Sequence, residues 1–422
     1  MLTTRPRGTN DILPGEIERW QYLESVLREV AELYGYQEIR TPIFEHTELF
    51  QRGVGETSDI VEKEMYTFID RGERSLTLRP EGTASTVRAL LEHKLHTGML
   101  PVKYYYIGPM FRYDRPQAGR FRQFHQFGVE AFGAAEPGLD AEVIAMAMDI
   151  YGRLGLHDLH VELNSVGCPQ CRKVYREALQ EFLKDRLADF CPTCQGRYSK
   201  NPLRIFDCKS SLCQSLVSNA PTINQMLCND CQAHFQQVQE YLRELKISFN
   251  LNPRLVRGLD YYTRTAFEIV AEGIGAQSAI GGGGRYDYLV EECGGPSLPG
   301  IGYAMGLERI LLTLEEQQVS LPLPARKTIF LAAIGEEAQK AAAILAQDLR
   351  KAGLPAERDY QGRSLKAQLK TANRLEAFYT LIIGEEEMQK GIVQLRKMQE
   401  SQQLGLPWQE IVPYLKKELG KN

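Results

Sequence analysis

Eight of the chain's nine cysteines fall between Cys168 and Cys231, and no other feature constrains the fold as tightly. Six of them form three Cys-x-x-Cys pairs, Cys168/Cys171, Cys191/Cys194 and Cys228/Cys231, with Cys208 and Cys213 between. Two thiolates from one tight turn can face the same ion, so two such pairs complete a tetrahedral zinc site. The candidate set is Cys191, Cys194, Cys228 and Cys231. The sequence favours free thiols over zinc, and disulfides come third because a reducing cytosol opposes them. On any of these readings residues 167–251 are polar, carry short helical runs and interrupt the pattern on both sides, as an inserted domain does.

The flanking pattern is that of an antiparallel sheet with helices. After Pro14, Trp20, Leu23, Leu27, Val30 and Tyr34 recur in steps of three and four, which places them on one helix face. Tyr36–Glu45 reads as strand, with Pro42 confining it to an edge or a strand start. Short β-type runs follow at Leu76–Leu78, Val102–Ile107 and Gln126–Glu130, and the β signal resumes at Leu255–Val270. Strands this close together, without a helix between each pair, argue for an α+β domain rather than βαβ repeats. Pro322 and Pro324 then mark a linker. Beyond it, strand Thr328–Ile334, a helix with Ala338, Ala341, Leu345 and Leu349 on one face, a strand near Ala356–Tyr360, helix Ser364–Leu375 and strands Tyr379–Ile383 and Gly391–Lys397 predict a small α/β domain. Its sheet is mixed but largely parallel.

A chain of 422 residues exceeds one core, so two or three domains are expected. No stretch is long and apolar enough to span a membrane, and the N-terminus lacks an apolar signal region, so a cytoplasmic protein without a membrane partner is expected. The net charge of −4 is uneven. Residues 326–422 carry 16 Lys and Arg against 12 Asp and Glu, which leaves the remainder strongly acidic. That basic segment suits a phosphate-bearing partner and equally suits ordinary surface variation.

The densest run of chemistry is Phe111-Arg-Tyr-Asp-Arg-Pro-Gln-Ala-Gly-Arg-Phe-Arg-Gln-Phe-His-Gln. Its arginines can pair with phosphate or carboxylate while its aromatic rings stack on a base. Thr77-Leu-Arg-Pro-Glu-Gly-Thr brings Arg79, Glu81 and Thr83 to a strand-to-helix turn, and Arg257-Gly-Leu-Asp-Tyr-Tyr sets Arg257 beside two tyrosines. Each reads alone as a structural ion pair or, together with the others, as acids for an amine and arginines for phosphate. Gly281–Gly284 allows a very close backbone approach, with no Lys-Ser/Thr after it to make a phosphate loop.

Together these segments resemble the class II aminoacyl-tRNA synthetases and, within them, the histidyl-tRNA synthetase family. Thr41-Pro-Ile-Phe-Glu is similar to the first class II motif, which builds a dimer interface, the arginine-aromatic run to the second, and Gly306-Leu-Glu-Arg to the third. Leu78-Arg-Pro-Glu-Gly-Thr, Arg257–Tyr262 and Gly281-Gly-Gly-Gly-Arg-Tyr-Asp together single out histidine. The resemblance implies a catalytic domain over residues 1–166 and 252–321, the insertion at 167–251 and an anticodon-binding domain at 326–422. It implies activation of histidine with ATP and Mg2+, transfer to the 3′ end of a tRNA recognised at acceptor end and anticodon, and a homodimer. Arg112 is then the α-phosphate ligand, Arg309 the γ-phosphate ligand, and Phe124 the ring against adenine. Glu81, Thr83 and Gln126 hold the α-amino group. Glu130 and Tyr262 read the imidazole, with Tyr261 beside them, and Arg257 bridges substrate carboxylate and α-phosphate. Arg115 and Gln117 meet the acceptor end. The alternative is a catalytically inactive paralogue that regulates ATP phosphoribosyltransferase.

Overall fold

The helix expected after Pro14 spans Ile17–Leu33 and buries Trp20, Leu23, Leu27 and Val30, with Val26 and Ala31 widening the stripe. Burial of each large aliphatic side chain there contributes about 1.5–3 kcal/mol. Tyr34 lies just past the last turn and is half-buried. The computed structural model describes residues 3–55, 58–272, 279–324, 327–398 and 402–420, apart from the side chain of Asp207. It divides the chain into units Met1–Leu321 and Pro322–Asn422. The expected domain start at Arg326 lies outside the described residues.

The first unit is built on an eight-stranded sheet in the order Gln37–Glu38, Val102–Phe111, Gln123–Phe132, Gly300–Gly306, Ala279–Arg285, Thr263–Ala271, Leu159–Ser165 and Phe249–Leu251. All its pairings are antiparallel except the two at the edges. Helices Ile17–Leu33, Pro137–Arg153, Asn229–Glu244 and Leu307–Glu316 contribute to the core on one face. The other face carries a smaller core that includes Val87, Leu90, Tyr262, Tyr286 and Leu289.

Two expected strands come out differently. Tyr36–Glu45 is not continuous: Gln37–Glu38 joins the large sheet, whereas Phe44–His46 pairs with Ser75–Leu78 in a separate three-stranded sheet completed by Tyr66–Ile69. Pro42, which has no N–H to donate, lies in the break. The run from Leu255 becomes strand only at Thr263, so Arg257–Tyr262 lies on a loop.

Within residues 167–251, a local core gathers Tyr175, Leu179, Leu183, Phe190, Ile205 and Val217. Helix Asn229–Glu244 instead commits Phe235, Val238 and Leu242 to the main core, and Phe249–Leu251 extends the main sheet. The fold also corrects the expected cysteine set. Cys191 and Cys194 meet Cys208 and Cys213, while Cys228 and Cys231 meet Cys168 and Cys171. Chain spacing says that a pair can share an ion; which pairs meet depends on how the helices they open are packed.

The second unit holds a mixed five-stranded sheet, ordered Ala356–Arg358, Ile329–Ala333, Tyr379–Ile383, Ile392–Lys397 and Gln403–Pro407. Its first three strands are parallel and the last two antiparallel. Helix Glu336–Lys351 buries Ala338, Ala342, Leu345 and Leu349, with Ala341 only half-buried. Strand Gln403–Pro407 and helix Ile411–Glu418 were not expected from the sequence.

Candidate functional site

The open face of the large sheet is hollow because its central strands carry little side chain. On Gln123–Phe132 alternate residues share a face, so Phe124, Gln126, Gly128 and Glu130 point together. Gly128 lies opposite Ala304 and Glu130 opposite Gly302 on the next strand; beyond these, Gly282 and Gly284 continue the two rows. The four glycines thus divide between two faces. Gly282 and Gly284 pave the hollow, whereas Gly281 and Gly283 pack against Tyr151 and Tyr303 on the core side. A Cβ at Gly302 would run into the Glu130 carboxylate and lie 2.8 Å from Tyr286 Oη. This is why so flat a floor needs glycine.

Two cavities of about 260 Å³ each occupy the hollow. The first is lined by Glu81, Thr83, Tyr106, Tyr261, Tyr262 and Tyr286. The second is lined by Phe124, Glu268, Gly281, Gly306, Glu308 and Arg309. Arg112, Arg120, Gln126, Arg257, Gly282 and Ala304 border both, so the cavities meet between cations.

Glu130 is a buried acid, 1% exposed, directly behind the Thr83, Tyr106 and Tyr286 side chains that line the first cavity. Its carboxylate accepts from Thr83 Oγ1 at 2.7 Å, from Tyr106 Oη at 3.2 Å and from Tyr286 Oη. Burial pushes its pKa up to about 8 despite those donors, so it holds a proton at neutral pH. Glu81 caps the helix Thr83–Glu92, accepting the Thr83 and Ala84 amides at 2.7 and 2.9 Å. Burial raises its pKa as well, with the two amides opposing. Gln126 Oε1 is buried and finds no hydrogen-bond partner among the described residues. An acceptor of this kind costs stability unless a ligand supplies the donor.

Arg257 comes off the loop into an ion pair with Glu268, its guanidinium carbon 5.9 Å from the Tyr262 ring centre. Burial is the largest single influence and disfavours its charge, but Glu268 together with the Tyr262 and Tyr261 hydroxyls outweighs it, and the pKa stands above the ordinary arginine value. Arg112 donates to Pro80 O at 2.8 Å and lies 5.3 Å over the Phe124 ring. Burial lowers the pKa values of Arg112 and Arg309, which makes an anionic ligand favourable beside both. Arg115 and Gln117 stand exposed on the turn after the strand and line neither cavity.

The structure therefore brings together Glu81, Thr83, Arg112, Phe124, Gln126, Glu130, Arg257, Tyr261, Tyr262 and Arg309. Sequence reasoning missed Tyr106, Tyr286 and Glu268, which hold Glu130 and Arg257 in place. Tyr286 lay within the Gly281-Gly-Gly-Gly-Arg-Tyr-Asp run, but nothing in the spacing says that its hydroxyl reaches across the neighbouring strand to Glu130. It also missed a cleft of about 430 Å³ whose lining includes Arg172, Lys173, Arg176, Lys200 and Arg204 and ends at Arg257 and Tyr262. Two arginines of the quoted motifs are structural. Arg79 donates to Thr41 O and Pro109 O, and Arg285, wholly buried, pairs with Asp140.

Comparison with known proteins gives the family. The histidyl-tRNA synthetase family profile matches residues 8–189 and 214–310, and an anticodon-binding domain profile matches 328–418. The histidine–tRNA ligase of Desulforamulus reducens is 61% identical over 416 residues, covering 99% of each chain. That of Moorella thermoacetica is 61% identical over 417 residues, again 99% of each. A crystal structure of apo Staphylococcus aureus histidyl-tRNA synthetase superposes with a TM-score of 0.84 at 41% identity, covering 98% of this chain and 100% of that one. Two cavities joined at paired arginines, on the open face of an antiparallel sheet, are thus found in a chain that belongs to the histidyl-tRNA synthetase family.

Proposed function

We propose that the chain is a histidine–tRNA ligase whose first cavity takes histidine and whose second takes ATP. The observation that carries this is the junction: Arg112, Gln126 and Arg257 border both cavities, where an amino-acid carboxylate and an α-phosphate must meet. Glu81, Thr83 and Gln126 offer oxygen acceptors to the α-ammonium group. Tyr262 faces the imidazole with Tyr261 alongside, and Glu130 reads it from behind the Thr83, Tyr106 and Tyr286 hydroxyls. Reading a ring through buried polar groups is selective, because an analogue lacking the ring N–H leaves them unpaired. In the second cavity Phe124 lies against adenine and Arg309 takes the γ-phosphate.

The carboxylate oxygen attacks the α-phosphorus in line and pyrophosphate leaves. Charge spreads over the phosphoryl oxygens, and catalysis is mainly positioning and stabilisation by cations already in place. Arg112 and Arg257 supply these from two sides, and Glu268 fixes Arg257. Glu268 and Glu308 are oxygen donors facing the polyphosphate side, a donor type that suits Mg2+. They would hold the ion through oxygen, and it neutralises phosphate charge when bound. The terminal ribose hydroxyl of tRNA then attacks the adenylate carbonyl and releases AMP. On this reading Arg115 and Gln117 on the exposed turn, and the basic cleft whose lining includes Arg257, receive that acceptor end, and the anticodon falls to the C-terminal unit.

The first-motif region also supports a homodimer. Ile43, Phe44, Phe68 and Ile69 are exposed on the three-stranded sheet, with the Phe44 and Phe68 rings 6.5 Å apart. An apolar cluster of this kind marks a protein interface. The regulatory alternative is not favoured, since Arg112, Arg257 and Arg309 are all in place and the relatives of 61% identity are named histidine–tRNA ligases. The test is ATP–pyrophosphate exchange with each amino acid in turn, followed by charging of tRNA. Exchange supported by histidine alone, with tRNA charged, is the expected result. Histidine binding without exchange would overturn the ligase reading in favour of a sensor.

A further inference from the structure

The eight clustered cysteines take no part in the chemistry above, yet the fold sorts them into two sets of four. In each set every sulfur lies within 4.8 Å of the other three. One set is Cys168, Cys171, Cys228 and Cys231; the other is Cys191, Cys194, Cys208 and Cys213. We propose that the insertion carries two structural zinc ions, each held by one of these four-thiolate sets.

The spacing is that of ligands around an ion rather than of bonded sulfurs. Four thiolates about 2.3 Å from a tetrahedral zinc stand about 3.8 Å from one another. Cys168 and Cys171 Sγ are 3.6 Å apart, and Cys191 and Cys208 Sγ 3.8 Å. A disulfide draws the two sulfurs to about 2.05 Å, and all eight cysteines are free. Burial as small apolar side chains accounts for Cys171, Cys194, Cys213 and Cys231. It does not account for exposed Cys228 or for half-buried Cys168, Cys191 and Cys208 converging on them.

Each zinc displaces four thiol protons to solvent, leaving a site with two net negative charges, and the backbone is arranged to meet that charge. Cys168, Cys191 and Cys228 immediately precede the helices Pro169–Leu183, Pro192–Lys200 and Asn229–Glu244, whose N-terminal dipole ends favour anions. Backbone amides point at the sulfurs: Cys228 N to Cys171 Sγ at 3.1 Å, Cys191 N to Cys213 Sγ and Ser210 N to Cys208 Sγ at 3.5 Å each. With four protein ligands and no open position, both sites are structural in type rather than catalytic.

The surrounding fold gives such ions a purpose. The local core of the insertion is small, and helix Ser211–Leu216 within it is only 6 residues long, so cross-linking contributes where burial is limited. The first set ties the start of the insertion to the helix that leads back into the catalytic core. The elements so fixed also back the catalytic loop. Arg172 donates to Asp260 O at 3.2 Å, Asn201 Nδ2 to Asp260 Oδ1 at 3.0 Å, and Arg204 to Gly258 O at 3.3 Å. Loss of either ion would therefore loosen the segment Arg257–Tyr262.

The experiment is elemental analysis of the full-length protein purified under reducing conditions without chelator. Two zinc ions per chain are expected. Cys171→Ser with Cys231→Ser should leave one, and Cys194→Ser with Cys213→Ser should leave the other. Because either double variant can fail to fold, the unaltered protein is also exchanged with Co2+, whose ligand-field and sulfur-to-metal charge-transfer bands report four-thiolate tetrahedral sites. Zinc-free protein with eight titratable thiols overturns the proposal, as does a mass reduced by two hydrogens per disulfide, bound iron with its visible absorption, or one zinc per unaltered chain. These outcomes are independent of the proposed function. Only the linked expectation rests on it: removal of zinc raises the KM for histidine on the order of tenfold by displacing the Arg257 loop.

Discussion

Truncating Arg257 to alanine tests the junction directly. The side chain stands between the two cavities and is held there by Glu268 before any substrate arrives. A preorganised donor aimed at developing charge is worth about 2.7–4 kcal/mol, or roughly 10²–10³ in kcat. In the proposed arrangement Arg112 remains on the other side of the α-phosphate, so the loss should stay in that range rather than abolish activity. The cost to the fold is smaller. Arg257 and Glu268 side chains are 20% and 28% exposed, so water reaches the carboxylate left behind, and about 1 kcal/mol is expected. The assay is histidine-dependent ATP–pyrophosphate exchange with kcat and KM separated, alongside a thermal melt. A transition-state role lowers kcat, whereas a contact to the bound carboxylate alone raises KM and leaves kcat unchanged. Histidinol, which lacks the carboxylate, should bind variant and parent alike. Exchange within threefold of the parent, in a variant that melts normally, would refute the reasoning.

Three further outcomes follow from the same geometry. Glu130 has a folded pKa of about 8, above its unfolded value, so the fold is favoured at low pH and loses that contribution as pH rises from the ordinary carboxylate range through 8. Glu130→Gln, which stays neutral, should flatten that part of the stability–pH curve in urea melts and raise the KM for histidine; a curve parallel to the parent's would contradict the assigned pKa. Asp140→Ala leaves Arg285 buried without its main partner, and also deprives Thr265 Oγ1 of its 2.6 Å acceptor, so a loss of about 3–5 kcal/mol in denaturant unfolding is expected. On the proposed homodimer, Phe44→Asp combined with Phe68→Asp should shift the sedimentation coefficient from dimer to monomer with the large sheet intact, and an unchanged dimer would place the interface elsewhere.

The sequence by itself determined those features that depend on local periodicity or on dense motifs. Trp20, Leu23, Leu27 and Val30 announce a buried helix face because 3.6-residue periodicity needs no tertiary information. Strand Tyr379–Ile383 was legible from its β-branched and aromatic run, and Arg112, Glu81 and Arg257 from the company of their neighbours. Other features were decided only when strands and helices were placed side by side. The long strand expected from Leu255 yields a loop, because pairing with Ala279–Arg285 begins at Thr263. Glu268 carries no local signal, yet register sets it across from Gly282 and under Arg257. Tyr286 reaches Glu130 only because Gly300 and Gly302, on the one strand between them, let its ring and hydroxyl cross. The cysteines make the same point most sharply. Their spacing identified three pairs able to share an ion, and the set expected from it was wrong. Which sulfurs converge depends on which helix ends pack together, and long-range packing is not encoded in the interval between one cysteine and the next.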